Sequence, residues 1–83
     1  MLDETIATPI RTFLSRSFHG HAIGNDDDIF SLGFANSLFA MQLVAFLEGE
    51  LRIEIDSDDL EIDNFRSVDA MSRLVGRKKA TEN

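Results

Sequence analysis

Apolar residues recur with a helical period along most of the chain. Ile6, Ile10, Phe13, Leu14 and Ser17 fall on one face of a first helix, the spacing of a stripe turned towards a core. Pro9 would be welcome as the first helical residue after a Thr8 cap, and costs a backbone bond further in. The apolar spacing reaches back to Ile6, so the start is expected near Asp3–Thr5, with some irregularity at Pro9. Gly20, after Phe18 and His19, is the expected stop.

Residues 20–36 then read as a long loop, punctuated by Gly20, Gly24 and Gly33. Loops of this length in small domains are functional or held by their own side chains; Ile23, Ile29, Phe30, Leu32 and Phe34 are the candidates to hold this one. The next helix, from about Ser37 to Leu51, has the strongest pattern. Leu38, Met41, Leu43, Val44, Phe46, Leu47 and Leu51 offer more apolar surface than one core-facing stripe needs, and Asn36 suits its N-cap. Leu38, Leu43, Val44, Phe46 and Leu47 are expected to face the core. Met41 and Ala45 then lie nearer solvent, with Phe39, Gln42 and Glu48.

Only "LRIEI", residues 51–55, alternates like a strand, and it runs directly into acids. Asp56, Ser57 or Asp58 can cap a short third helix around 58–62, after which Phe65 anchors the chain. Ser67 caps a last helix in which Val68, Met71, Leu74 and Val75 repeat on one face. Arg73, Arg77, Lys78 and Lys79 gather towards its C-terminal end, where positive charge suits the helix dipole. Four helices result, the third short and the first connection long. The domain is set at 1–79, with 80–83 as a frayed tail.

Composition narrows the function. Eighty-three residues make one domain with one small core. The 43% hydrophobic content is too high for a disordered acidic tail. A net charge of −7 disfavours nucleic acid and anionic membranes as partners and favours basic protein surfaces. No apolar run is long enough to span a bilayer, and "MLDETIATPI" lacks the layout of a signal peptide. A cytoplasmic monomer is expected. Without cysteine there is no disulfide, thiolate ligand or thiol nucleophile.

Candidate chemistry thins quickly. Asp26–Asp28 and "DSDDLEID" (56–63) invite a calcium reading, but a calcium-binding helix–loop–helix needs glycine sixth and glutamate twelfth. Counting from Asp56 gives Glu61 and Ser67; counting from Asp26 gives Ser31 and Ser37. The acids read as solvated caps, and no metal is expected. His19 and His21 flank Gly20 with no cysteine nearby; His19 at a helix C-terminus is the preferred reading. Ser37 has neither a local base nor a "GxSxG" turn around it, so no enzyme is expected. By spacing alone, Ser37 is as well explained as an ordinary helix-start serine.

The stretch "DDDIFSLGFANSLFAMQLVAFLEGELRIEI" nevertheless resembles the centre of acyl and peptidyl carrier proteins. In that family a loop ending in Gly-x-Asp-Ser-Leu presents a serine to a phosphopantetheinyl transferase, which modifies it from coenzyme A. The matching positions are Gly33, Asn36, Ser37 and Leu38, and the resemblance covers nearly the whole chain. It implies an all-α, four-helix carrier bundle with 4′-phosphopantetheine on Ser37. It further implies docking of partner enzymes on the helix that the serine leads, through Phe39, Met41, Gln42, Ala45 and Glu48.

Asn36 stands where the family has aspartate, which keeps the cap but removes one negative charge. "NSLFAMQLV" is further similar to discrete carriers of polyketide and hybrid peptide–polyketide pathways that build methoxymalonyl- or aminomalonyl-type extender units. That similarity implies an acyl-loading enzyme, tailoring dehydrogenases or oxidases, and an acyltransferase or synthase as partners. A peptidyl or D-alanyl-type carrier, loaded by an adenylating ligase, is the alternative within the family. An acidic helical interaction module that is never modified is the alternative outside it.

Overall fold

A carboxylate opens the first helix. In the computed structural model, which describes residues 3–18, 23–31 and 37–81 (the side chains at 37 and 81 excepted), Asp3 accepts hydrogen bonds from the Thr5 amide at 3.0 Å and the Thr5 hydroxyl at 2.6 Å. Helix α1 follows as Glu4–Ser17, the start expected from the apolar spacing. Pro9 lies inside it and removes the backbone bond its nitrogen would donate to Thr5. The buried stripe Ile6, Ala7, Ile10 and Leu14 holds the helix on both sides of that gap. Ser17, expected on the stripe, is exposed and donates to the Phe13 carbonyl at 2.9 Å. Phe18, just past the helix end, takes up the burial instead.

Helix α2 spans Ser37–Glu50, α3 Ile62–Phe65 and α4 Val68–Thr81. All regular structure among the described residues is helical, as the periodicity predicts. The broadest helix contacts join α1 to α4 and α3 to α4. Helix α4 presents Val68, Met71, Leu74 and Val75 to the core, all fully buried, so its expected stripe is correct. It is capped by Ser67, whose hydroxyl accepts from the Ala70 amide at 3.0 Å. It continues to Thr81. Aromatic contacts seat α2 on α1: Phe46 stacks on Phe13 at 4.4 Å between ring centroids.

The long first connection is held by its own side chains. Ile29 is fully buried, and Ile23 and Phe30 pack against the core; Leu32 and Phe34 lie outside the described residues. Its backbone is also tied across the molecule, because the Ile29 amide donates to the Arg66 carbonyl at 2.7 Å and the Asp69 amide donates to the Asn25 carbonyl at 2.9 Å. The acids here fold the loop. Asp27 accepts from the Gly24 amide, and Asp28 accepts from the amides of Phe30 and Ser31.

Beyond α2 the chain turns sharply at Arg52, whose φ of +55° is left-handed. Glycine takes that conformation more easily, and for arginine the strain is about 1 kcal/mol. Around the turn the burial alternates, with Leu51 and Ile53 buried and Arg52 and Glu54 exposed. The strand-like alternation is therefore real, but it is spent on a connection, and no strand occurs among the described residues. The third helix also differs from expectation. A 3-10 turn at Ser57–Asp59 precedes α3, separated from it by extended backbone at Glu61. Asp59 closes the 3-10 turn, its carboxylate reaching back to accept from the Asp56 amide at 2.9 Å.

One buried group is poorly matched to this interior. Among the described residues, the buried Ser72 hydroxyl has no hydrogen-bond partner. Burying an unpaired hydroxyl costs about 1–3 kcal/mol, and alanine is the better helix former. Ser72→Ala should therefore raise stability by about 1 kcal/mol, seen as a higher urea midpoint with an unchanged denaturant slope.

The paired carboxylates make the fold sensitive to acid. Hydrogen bonds from Thr5, Arg11 and Ser31 hold Asp3, Glu4 and Asp28, respectively, below their usual values, and Lys78 does the same for Asp59. A folded-state pKa below the unfolded one contributes stability that is complete above the unfolded value of about 4 and is lost as pH falls through the folded value. The thermal midpoint should thus vary little from neutral pH to about 5 and fall below about 4. Asp59→Asn should remove part of that fall, which thermal melts across the pH series would detect.

Candidate functional site

Position 37 is the first residue of α2, where backbone amides are left without intrahelical acceptors. The first turn of this 14-residue helix contains no acidic side chain, so the positive dipole end is not neutralised by a carboxylate of that turn. A phosphate attached there would meet amides and a favourable field. The residues present thus fit a phosphate-linked prosthetic group on Ser37. Gly33 and Asn36 of the sequence motif, and both histidines, lie outside the described residues.

The faces of α2 differ from expectation in one instructive way. Leu38, expected in the core, is 65% exposed, whereas Phe39, expected on the docking face, is 7% exposed. Phe39 packs its ring against Phe18 at 4.8 Å and Phe13 at 5.9 Å, so it is withdrawn from the docking set. With Phe39 inward, Leu43 and Leu47 follow it at i+4 and i+8 as buried residues. Leu38, Met41, Ala45 and Glu48 are then brought out together, and Gln42 is exposed beside them. Met41 is 71% exposed. Sequence could not choose between Leu38 and Phe39, because apolar residues surround this helix. The aromatic partners supplied by α1 decide it.

Glu48 has a second task. Its carboxylate accepts from the Ile55 amide at 3.0 Å, pinning the connection after α2 back onto that helix. Charge reversal at Glu48 would therefore disturb this connection as well as any docking.

The exposed face of α2 borders two connected apolar depressions. One, of about 190 Å³, lies between α2 and the start of α3, lined by Phe30, Ala40, Leu43, Val44, Leu60, Glu61, Ile62 and Phe65. The other, shallower and of about 380 Å³, is lined by Ala40, Met41, Val44, Ala45, Glu48 and Leu60. Ala40 stands one turn along the helix from Ser37. Leu60 and Ile62, both mostly exposed, form the outer wall, with Asp58, Glu61 and Asp63 exposed around them. These wall residues were missed in the sequence, where they appeared only as part of an acidic run. The available signal was two large apolar residues among carboxylates, with no helical stripe to belong to.

The arrangement suits binding and presentation. Among the described residues no group of three or more acidic or histidine side chains is placed to hold a metal ion. The 56–63 acids serve as turn and ion-pair groups: Asp56 and Asp59 both accept from Lys78, and Asp63 pairs with Arg66 at 2.6 Å. No described helix is long and apolar enough to cross a membrane.

No curated protein matches the chain. The family model for the phosphopantetheine attachment site, by contrast, matches residues 9–75, from within α1 to within α4, and so includes Ser37 and both depressions. Such a match spans most of the 83 residues. The chain therefore belongs to the phosphopantetheine-binding family, whose members are non-catalytic carrier domains that bear 4′-phosphopantetheine and work with phosphopantetheinyl transferases and with synthase or modifying enzymes.

Proposed function

We propose that Ser37 is the attachment residue and that the chain is a discrete acyl carrier of polyketide or hybrid peptide–polyketide extender-unit biosynthesis. The observation that carries the attachment is the position of Ser37 at the head of α2, with no acid in the first turn and with Leu38 and Met41 exposed beside it. When bound, the prosthetic group supplies a thiol on a long flexible arm, a function that a cysteine-free chain cannot provide for itself. The role of the chain is then to hold the phosphate end at a helix N-terminus and to offer a face that successive enzymes can recognise.

Met41 and Ala45, beside Glu48, give that face adaptable apolar contact and negative charge. The combination suits brief docking onto basic surfaces, in which charge speeds encounter and little buried area permits release. The proposed partners are an acyl-loading enzyme, tailoring dehydrogenases or oxidases, and an acyltransferase or synthase. The extender-unit assignment is supported by the likeness of "NSLFAMQLV" to carriers of that type.

Incubation with coenzyme A, magnesium and a broad-specificity phosphopantetheinyl transferase tests the attachment. Intact mass should rise by one phosphopantetheine, and fragmentation should map the gain to the peptide containing Ser37. A protein left bare by this transferase and by the one from its own producer would overturn the attachment. Loading the modified protein with malonyl-, methoxymalonyl-, aminomalonyl- and aminoacyl-type donors, with the loading enzymes of the producer, then tests the cargo. Exclusive charging by an amino-acid-adenylating ligase would replace the extender-unit reading with a peptidyl one.

A further inference from the structure

The outer wall of the depression beside α2 has little packing of its own. Leu60 and Ile62 are 56% and 59% exposed, so their own burial cannot fix where they stand. Leu60 follows the 3-10 turn directly and Ile62 opens α3, and that turn is gripped from the far end of the chain. Lys78, in the last turn of α4, donates to Asp59 Oδ2 at 2.7 Å and to Asp56 Oδ2 at 2.9 Å. The same Asp59 oxygen accepts the Asp56 amide at 2.9 Å, so one carboxylate both closes the turn and receives the ammonium.

Two further bonds extend the grip. Asn64 donates from its side chain to the Asp59 carbonyl at 2.8 Å, and Arg77 donates to the Asn64 amide oxygen at 3.2 Å. Lys78 and Asp59 have side chains only 17% and 20% exposed, so solvent and salt screen the pair less than an ordinary surface ion pair. The Lys78 ammonium is held above its usual pKa by Asp59 first and Asp56 second, consistent with a permanently charged clamp.

We propose that Lys78 is a positioning residue for the recognition surface of α2. Through Asp56 and Asp59 it sets the stand of Leu60 and Ile62, and thereby the shape of the depression that an enzyme acting at Ser37 must cover. A specific protein contact takes about 800 Å² of each partner, and the depression begins one turn from Ser37, so a transferase reaching that residue covers the wall as well. The proposal rests on Ser37 being the attachment residue.

Lys78→Met keeps the aliphatic stem and removes the charge; Lys78→Arg keeps the charge and the donors. Both are compared with wild type under conditions where urea curves show each to be folded. In Lys78→Met, amide exchange of residues 59–62 should quicken about tenfold and the Leu60 and Ile62 methyl signals should shift, while those of Leu43 and Leu47 stay in place. The KM of the transferase for this variant should rise about fivefold with kcat nearly unchanged, the signature of lost recognition, and Lys78→Arg should restore both. Unchanged exchange and methyl signals at 59–62, or an unchanged KM, would overturn the proposal. If the wild type takes up no prosthetic group, it is the attachment at Ser37 that fails, and the exchange data alone then judge Lys78.

Discussion

Ser37→Ala takes up no prosthetic group under conditions that convert the wild type completely. The expected loss is total because a single oxygen is the acceptor, and removing the nucleophile leaves nothing to form the phosphodiester. The same change should scarcely affect folding. Position 37 is the first helical residue of α2, and alanine is a better helix former than serine. Circular dichroism and urea midpoints within about 0.5 kcal/mol of wild type would show that the loss is chemical. Modification persisting in Ser37→Ala would move the site elsewhere. A loss of modification accompanied by unfolding would leave the alanine result uninformative about the acceptor, and Ser37→Cys, which retains a nucleophile of similar size, would then decide it.

Two substitutions on one helix should separate folding from docking. Leu47→Ala removes a fully buried side chain of α2, and such truncations cost about 2–5 kcal/mol. For a domain of this length total stability is about 4–12 kcal/mol, so the variant should lie close to unfolding, with a much lower urea midpoint and weakened amide protection throughout. Met41→Ala removes a side chain that is 71% exposed and should change stability by no more than about 0.5 kcal/mol. Its effect should appear instead as a higher KM for several partner enzymes, because Met41 lines the shallower depression beside Ala45 and Glu48. Partners that process Met41→Ala as readily as wild type would show that they do not share this face. Glu48→Lys is a poorer test, because the Glu48 carboxylate also holds the Ile55 amide.

Much of this was legible in the chain, for identifiable reasons. Helices α1 and α4 each carry one apolar stripe, and a stripe at helical period has only one way to be buried; Ile6, Ile10, Leu14, Val68, Met71, Leu74 and Val75 were assigned correctly from it. The caps were partly legible too. Ser67 takes the amide of Ala70, and Asp3 lies within the range expected for the start of α1. Ile29, Ile23 and Phe30 were among the five residues expected to hold the loop, because large apolar residues in a polar stretch need somewhere to go.

Helix α2 was different. Apolar residues surround it, so periodicity could not tell Leu38 from Phe39, and the assignment of both was reversed by contacts with Phe13 and Phe18 that no local pattern encodes. Residues 56–63 failed for a related reason. As sequence they are an acidic run, and only the approach of Lys78 from 19 residues away makes Asp59 a turn-forming clamp and leaves Leu60 and Ile62 as a wall. Periodic burial and capping are properties of neighbours a few positions apart, and the sequence by itself determined them: four helices, a long pinned connection and a serine at the head of α2. The choice of which apolar face is surrendered to solvent, and the shape of the surface beside that serine, depend on which distant side chains arrive, and the tertiary structure alone decided them.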